Sequence, residues 1–282
     1  MTYVNSVARR RTWRRGTVVS VAAAALLLSG CGSGDDDKAA KSRTPAPSKS
    51  AAVSAAASAP ASGEEAAPPT TPFRADPAKV PRTRSRAEQL ANTVVLQPRA
   101  WGADFRAQQQ AASTPGTVAV LDEECRWERQ PLPRTVLASR SRYSELPATG
   151  GKGELKVTAA VTVHASVRDA DEHLASTLEE PMRCRRQQVR SDESITELQS
   201  AATPFGQGNN TYADDQVVEI GTYLAGKSER TYLWYVTRVG TVTLGVSVKG
   251  AEGYTNNELS TFASTANVTM INSVEYLLGK AG

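Results

Sequence analysis

Glu154-Leu-Lys-Val-Thr-Ala-Ala-Val-Thr-Val-His-Ala-Ser-Val-Arg168 alternates without a break. Leu155, Val157, Ala159, Val161, Val163, Ala165 and Val167 fall on one side; Lys156, Thr158, Ala160, Thr162, His164, Ser166 and Arg168 fall on the other. A period of two is that of a β-strand with one buried face. The polar set puts the second face in water or along a cleft. Directly after it, Asp169 followed three positions on by Glu172 marks a capped helix start, and Pro181 predicts its end near Glu180.

Towards the C-terminus, Gln216–Leu224 reads as a strand, and Arg230–Arg238 with Thr241–Lys249 as a hairpin turning at Val239-Gly240. In the second hairpin strand Val242, Leu244, Val246 and Val248 oppose Thr241, Thr243, Gly245, Ser247 and Lys249. Asn257 opens an amphipathic helix with Leu259, Phe262, Ala263, Ala266, Met270, Val274 and Leu277 at helical spacing, stopped by Gly279. On the N-terminal side, Gly150-Gly151-Lys152-Gly153 is a turn and Thr117–Leu121 a short strand. Ser85 with Glu88 begins a helix that Pro98 limits. Antiparallel strands with interspersed helices predict an α+β fold: an antiparallel β-sheet with helices packed on one face, one domain over residues 85–282.

The N-terminus reads as an address. Arg9, Arg10, Arg11, Arg14 and Arg15 precede an uncharged run from Gly16 to Leu28, too short for a span of ~20 residues and right for a signal peptide over 1–30. Leu28-Ser29-Gly30-Cys31 resembles the bacterial lipobox, which implies lipidation at Cys31 and a membrane anchor at the extracytoplasmic face. Arg14-Arg15 loosely resembles a twin-arginine signal, the general export route being the plainer account. Residues 31–84 carry the lipidated cysteine and an Ala/Pro/Ser-rich segment, read as a disordered tether. Its coil length of roughly 40 Å would carry the domain beyond the headgroups.

Net charge is +4, but the five leader arginines account for it: without them 28 Lys and Arg face 29 Asp and Glu, a formal charge of −1. A nucleic-acid partner therefore loses its main support. Beyond Cys31 only Cys125 and Cys184 remain, and an oxidising exported setting predicts one disulfide between them. A reactive or metal-binding thiol pair is the alternative, without a CxxC or a histidine at ligand spacing to support it.

The order of strand, Val167-Arg168-Asp169-Ala170-Asp171-Glu172-His173, helix, and Met182-Arg183-Cys184, followed by an aromatic-rich hairpin and a last helix, resembles the extracellular sensor domain of PknH-type actinobacterial serine/threonine kinases. The resemblance spans residues 85–282. The chain departs from it in having a single cysteine pair and Pro181-Met182-Arg183 ahead of the helix-end cysteine. It implies a helix-and-sheet domain with a cleft, acting as a ligand sensor rather than an enzyme, and it supplies no catalytic residues.

The residues themselves offer few chemical constellations. His164 and His173 are the only histidines, too few for a metal site, and solvated surface positions are expected for both. No Gly-x-Ser-x-Gly, His-Glu-x-x-His or P-loop occurs. Asn209, Asn210, Asp214 and Asp215 form an oxygen-rich loop without EF-hand spacing. Arg183, Arg185, Arg186 and Arg190 suit a helix C-terminus or an anionic wall polymer. Tyr232 and Trp234 must face opposite Leu233 and Tyr235. The pair that shares a face with His164 and Thr162 would make a stacking platform for a sugar or lipid; His164, Thr162, Tyr232 and Trp234 are the candidate ligand residues. The expectation is a monomeric, non-enzymatic lipoprotein without cofactor or metal, binding a cell-wall fragment, a glycolipid or an envelope protein. An envelope hydrolase or transferase using His164 with an acidic partner is the alternative.

Overall fold

The computed structural model describes residues 71–280. The signal peptide, Cys31 and most of the tether segment lie outside the described residues. In chain order the elements are α1 (Arg84–Val94), β1 (Arg106–Ala112), β2 (Thr117–Leu121), β3 (Trp127–Pro131), β4 (Val136–Leu146), β5 (Leu155–His164), α2 (Val167–Arg183), β6 (Arg186–Arg190), β7 (Glu193–Pro204), β8 (Asp215–Ala225), β9 (Ser228–Val239), β10 (Val242–Lys249) and α3 (Asn256–Leu278). Eight strands make one antiparallel sheet in the order β1-β4-β5-β10-β9-β8-β7-β6, and β2 pairs with β3 alone. The antiparallel α+β fold expected from the sequence is the one adopted.

The alternating strand lies near the middle. Leu155, Val157, Ala159, Val161 and Val163 are essentially fully buried. Beside them in register stand Val242, Leu244, Val246 and Val248 of β10. Both sets pack under Ala87, Leu90, Ala91 and Val94 of α1 and Leu259, Ala263, Met270 and Val274 of α3. The sequence gathered the helices on one face. α1 and α3 do share that face, whereas α2 crosses the other, where Leu174 meets Val217 and Val236.

Helix starts follow side-chain capping, a residue or more from the expected positions, whereas α3 stops at Gly279 as expected. Thr83, not Ser85, caps α1 through the Arg86 amide, and Ser166 caps α2 through the Asp169 amide at 3.1 Å. Thr255 and Glu258 form a reciprocal capping box on α3, each cap being worth about 1 kcal/mol. Pro181 does not end α2: it sits in the last turn, and the helix closes at Arg183 with Cys184 N–H donating to the Glu180 carbonyl at 2.7 Å. Pro lacks the donor for the Thr177 carbonyl, a loss tolerable so close to the end.

Packing against the core begins within the segment read as tether. Phe73 and Ala75 lie against it, the Asp76 amide donates to the Leu278 carbonyl at 2.7 Å, and the Lys79 ammonium reaches the Gly279 carbonyl. The expected disulfide joins Cys125 to Cys184, with Cα atoms 5.5 Å apart. Among the described residues no helix is long and apolar enough to cross a membrane.

Candidate functional site

The face of the sheet opposite α1 and α3 divides into two halves, one packed under α2 and the other overhung by the β2–β3 hairpin without being filled. Strand register decides what each half contains. Thr243 stands opposite Thr162 and Arg238, Ser247 opposite Thr158 and Trp234, and Lys249 opposite Lys156 and Tyr232. Opposed residues share a face, so Tyr232 and Trp234 join the threonine side, and Leu233 and Tyr235 turn to α3.

Under the first turns of α2 the side chains close on one another. His164 Nε2 lies 2.9 Å and His173 Nδ1 3.0 Å from the Thr243 hydroxyl, which can donate to one ring and accept from the other. Thr162 and Ser139 share a hydroxyl hydrogen bond of 3.0 Å. His164 is 2% exposed and Thr162 6%. Burial, aided by the neighbouring His173, pushes His164 down to about 3, and burial lowers His173 as well. Both imidazoles are therefore neutral at neutral pH, and His164 is a poor base there. The histidines expected at the surface are instead packed between helix and sheet. Beside them Arg238 pairs with Asp214 at 3.0 Å, with Asp171 at 3.0 Å, and with Asp215. Asn210 folds back onto the Ala213 amide and the Thr203 carbonyl. Asn210, Asp214 and Asp215 thus spend acceptors on the protein's own donors, and no group of three or more His, Cys, Asp or Glu able to hold a metal occurs among the described residues.

The other half is open. Between the β2–β3 hairpin and the sheet lies a cleft of about 360 Å³. Thr158 of β5, Ser247 and Lys249 of β10, Tyr232 and Trp234 of β9, and Tyr143 of β4 line its sheet side, and Trp127 and Arg129 descend from β3 on the other. Trp127 meets Trp234 edge to face, centroids 5.5 Å apart at 87°, and donates its indole N–H to Gln187 Oε1 at 2.8 Å.

Arg129 donates to the Thr117 hydroxyl at 2.7 Å, the Thr117 carbonyl at 2.6 Å and the Ser141 hydroxyl at 3.4 Å. It makes no ion pair among the described residues, and burial lowers its pKa. On the opposite wall Lys249 donates to Glu193 at 2.6 Å, and Arg190 approaches the same carboxylate at 3.4 Å. Burial acts to raise Glu193, but the Lys249 hydrogen bond and charge bring it below its ordinary value.

Behind the cleft wall two acids are sealed under the end of α2. Glu219 is fully buried; one oxygen accepts from Ser200 at 2.7 Å, and the other has no partner, like Glu180 Oε2 and Gln187 Nε2. Burial raises Glu180 to about 8, helped by Glu219, and burial raises Glu219 to about 7.

Of the four candidate ligand residues, Tyr232 and Trp234 reach the cleft and Thr158 joins them, while His164 and Thr162 fall under α2 and do not line it. Trp127, Arg129, Tyr143 and Lys249 were missed. Their one visible signal is the exposed-face alternation of Trp127-Glu128-Arg129, which has no meaning until the hairpin is placed over the sheet.

No protein-family model matches the chain, and no curated protein matches it. Among solved structures it is similar to the extracellular domain of PknH from Mycobacterium tuberculosis, with 12% identity over 66% of this chain and 96% of that one and a TM-score of 0.41. The similarity is remote and structural.

Proposed function

We propose that this chain is a membrane-anchored extracytoplasmic lipoprotein whose α+β domain binds an envelope ligand, in a sensing or binding role without catalysis. The observation that carries the binding role is the cleft beneath the β2–β3 hairpin. Its volume of about 360 Å³ lies within the range of small-molecule sites, roughly 300–1,000 Å³. Two indoles and two phenols line it, and such rings present broad apolar faces with polar edges, suited to sugar rings or lipid chains. The covalent tie between Cys125 and Cys184 fastens the hairpin's turn to the end of α2, which supports a site held in shape by the fold. The anchor rests on the leader and on Leu28-Ser29-Gly30-Cys31.

Native mass spectrometry of the chain, recovered from an oxidising secretory host in the presence of wall and membrane extract, tests the binding role. A retained small molecule is expected for the wild type and its loss for Thr158→Trp, which fills the cleft. A ligand held equally by both variants would place binding elsewhere. A clean mass beside a co-purifying envelope protein would replace the small ligand with a protein partner. Metabolic labelling with a palmitate analogue tests the anchor: label is expected on the wild type and absent from Cys31→Ser, and unlabelled wild type overturns it.

A further inference from the structure

Resting on the cleft reading, we propose that the site selects ligands that carry an acid group beside a ring or apolar body, with Arg129 receiving the acid and the Trp127–Trp234 pair the body. Arg129 supplies the first half of the argument. Its guanidinium is half-buried, and its partners are neutral oxygens: the hydroxyl and carbonyl of Thr117, the Ser141 hydroxyl and the Tyr143 phenol beside it. A cation drawn out of water is costly unless an anion answers it, and the domain provides none within ion-pair distance among the described residues. Desolvation bears on the group accordingly, lowering its pKa.

Arg129 is not alone. Lys156 and Lys249 line the same cleft. Lys156 is held only loosely by Glu154 at 3.4 Å, and the single carboxylate Glu193 is shared by Lys249 and Arg190. Glu128 is the one acid on the cleft lining, and it is exposed, hydrogen-bonded outward to Gln130. The lining is therefore cationic in a domain whose overall charge is near balance.

The second half is geometric. Trp127 and Arg129 are two positions apart on β3, so both side chains leave the same side of the strand. A guanidinium beside an indole pair matches an acid beside a ring. A planar fork of N–H donors suits carboxylate and phosphate alike, and the shared chemistry is an organic acid on an apolar frame.

Matched probes separate the contributions. Titration of the exported chain with 1-naphthyl phosphate, 1-naphthoate, 1-naphthol, 1-naphthylmethylammonium and inorganic phosphate, followed by the indole N–H signals of Trp127 and Trp234, should rank both acids about tenfold or more above the neutral and cationic rings. Arg129→Met should remove that preference, bringing both acids down to the level of 1-naphthol measured on the same variant. Should that variant fail to fold, Arg129→Gln takes its place, and an acid preference that survives loss of the guanidinium overturns the role given to Arg129.

A neutral ring that binds as well as the acids overturns the acid preference and leaves the cleft reading standing. Inorganic phosphate binding as tightly as naphthyl phosphate overturns the role of the indoles. If no naphthyl compound shifts either indole, the cleft reading falls together with the inference drawn from it.

Discussion

Glu180 and Glu219 hold protons that an unfolded chain would release, and His164 and His173 refuse protons that it would accept. Their opposed shifts define a pH profile. Between the ordinary carboxyl value of 4.5 and the raised values of about 7 for Glu219 and about 8 for Glu180, the folded chain binds more protons, so stability falls as pH rises through that window. For the histidines, between about 3 for His164 and the ordinary 6.5, the unfolded chain binds more, so stability rises with pH there. The two trends oppose one another from about 4.5 to 6.5. Glu258, lowered to about 2 by its Lys152 and Thr255 hydrogen bonds, adds stability that is lost as pH falls below 4.5. Thermal melts should therefore show a plateau between about pH 4.5 and 6.5, with Tm declining towards pH 8 and towards pH 3 on either side. Glu219→Gln should flatten the alkaline decline, and an unchanged slope in that variant would contradict the buried acid pair as its source.

At the level of elements, the β2–β3 hairpin has little core of its own and depends on what ties it down. Cys125–Cys184 joins its turn to the end of α2. The Arg183 guanidinium donates to the Leu121 and Asp122 carbonyls, and the Gln188 amide donates to the Cys125 carbonyl at 2.8 Å. Reducing the disulfide reopens a loop spanning 59 positions, a loss of up to about 4 kcal/mol in the chain-entropy account. Amide exchange should then accelerate over residues 117–131 while β5 and β10 stay protected; uniform acceleration would show that the disulfide holds the whole domain. For α3, Thr255→Ala removes the capping box with Glu258 and should lower stability by about 1 kcal/mol, readable as a shift in the urea midpoint with an unchanged slope.

Across the whole molecule the largest commitment is the layer formed by β5, β10, α1 and α3. Met270, fully buried there, should cost ~2–5 kcal/mol when changed to Ala, measured by equilibrium unfolding. The N-terminal extent of that layer yields a sharper prediction. A chain starting at residue 85 loses Phe73 from the core, the Thr83 cap and the Lys79 contact to Gly279. Against a chain starting at residue 71 it should be less stable by roughly 2 kcal/mol, from one cap and one partly buried ring. Equal stability would show that residues 71–84 contribute nothing to the fold.

How much of this was legible depends on whether a residue's neighbours in sequence are also its neighbours in space. β5 announced itself because its period of two is a local property, and α3 and the β9–β10 hairpin were read on equally local grounds. β1, β6 and β7 were overlooked: β1 and β6 are the edge strands and β7 lies next to one of them; side chains there are mostly exposed and no apolar alternation marks them in the sequence. β4 was overlooked for another reason: its core-facing register places Arg140 and Arg142 beside Val161 and Ala159, which breaks the pattern.

The disulfide followed from counting cysteines. The cleft could not, since Trp127, Tyr143, Thr158, Trp234 and Lys249 lie on four strands of the sheet and on a hairpin folded over it. Nor could the fate of His164, which sits in the polar series of β5 yet is sealed because α2 turns back across that half of the face. The sequence by itself determined the strand and helix periods, the antiparallel α+β class and the pairing of Cys125 with Cys184. Only the tertiary structure decided which half of the polar face is closed and which is open, because that choice depends on where α2 and the β2–β3 hairpin come to rest, a matter of contacts between residues far apart in the chain.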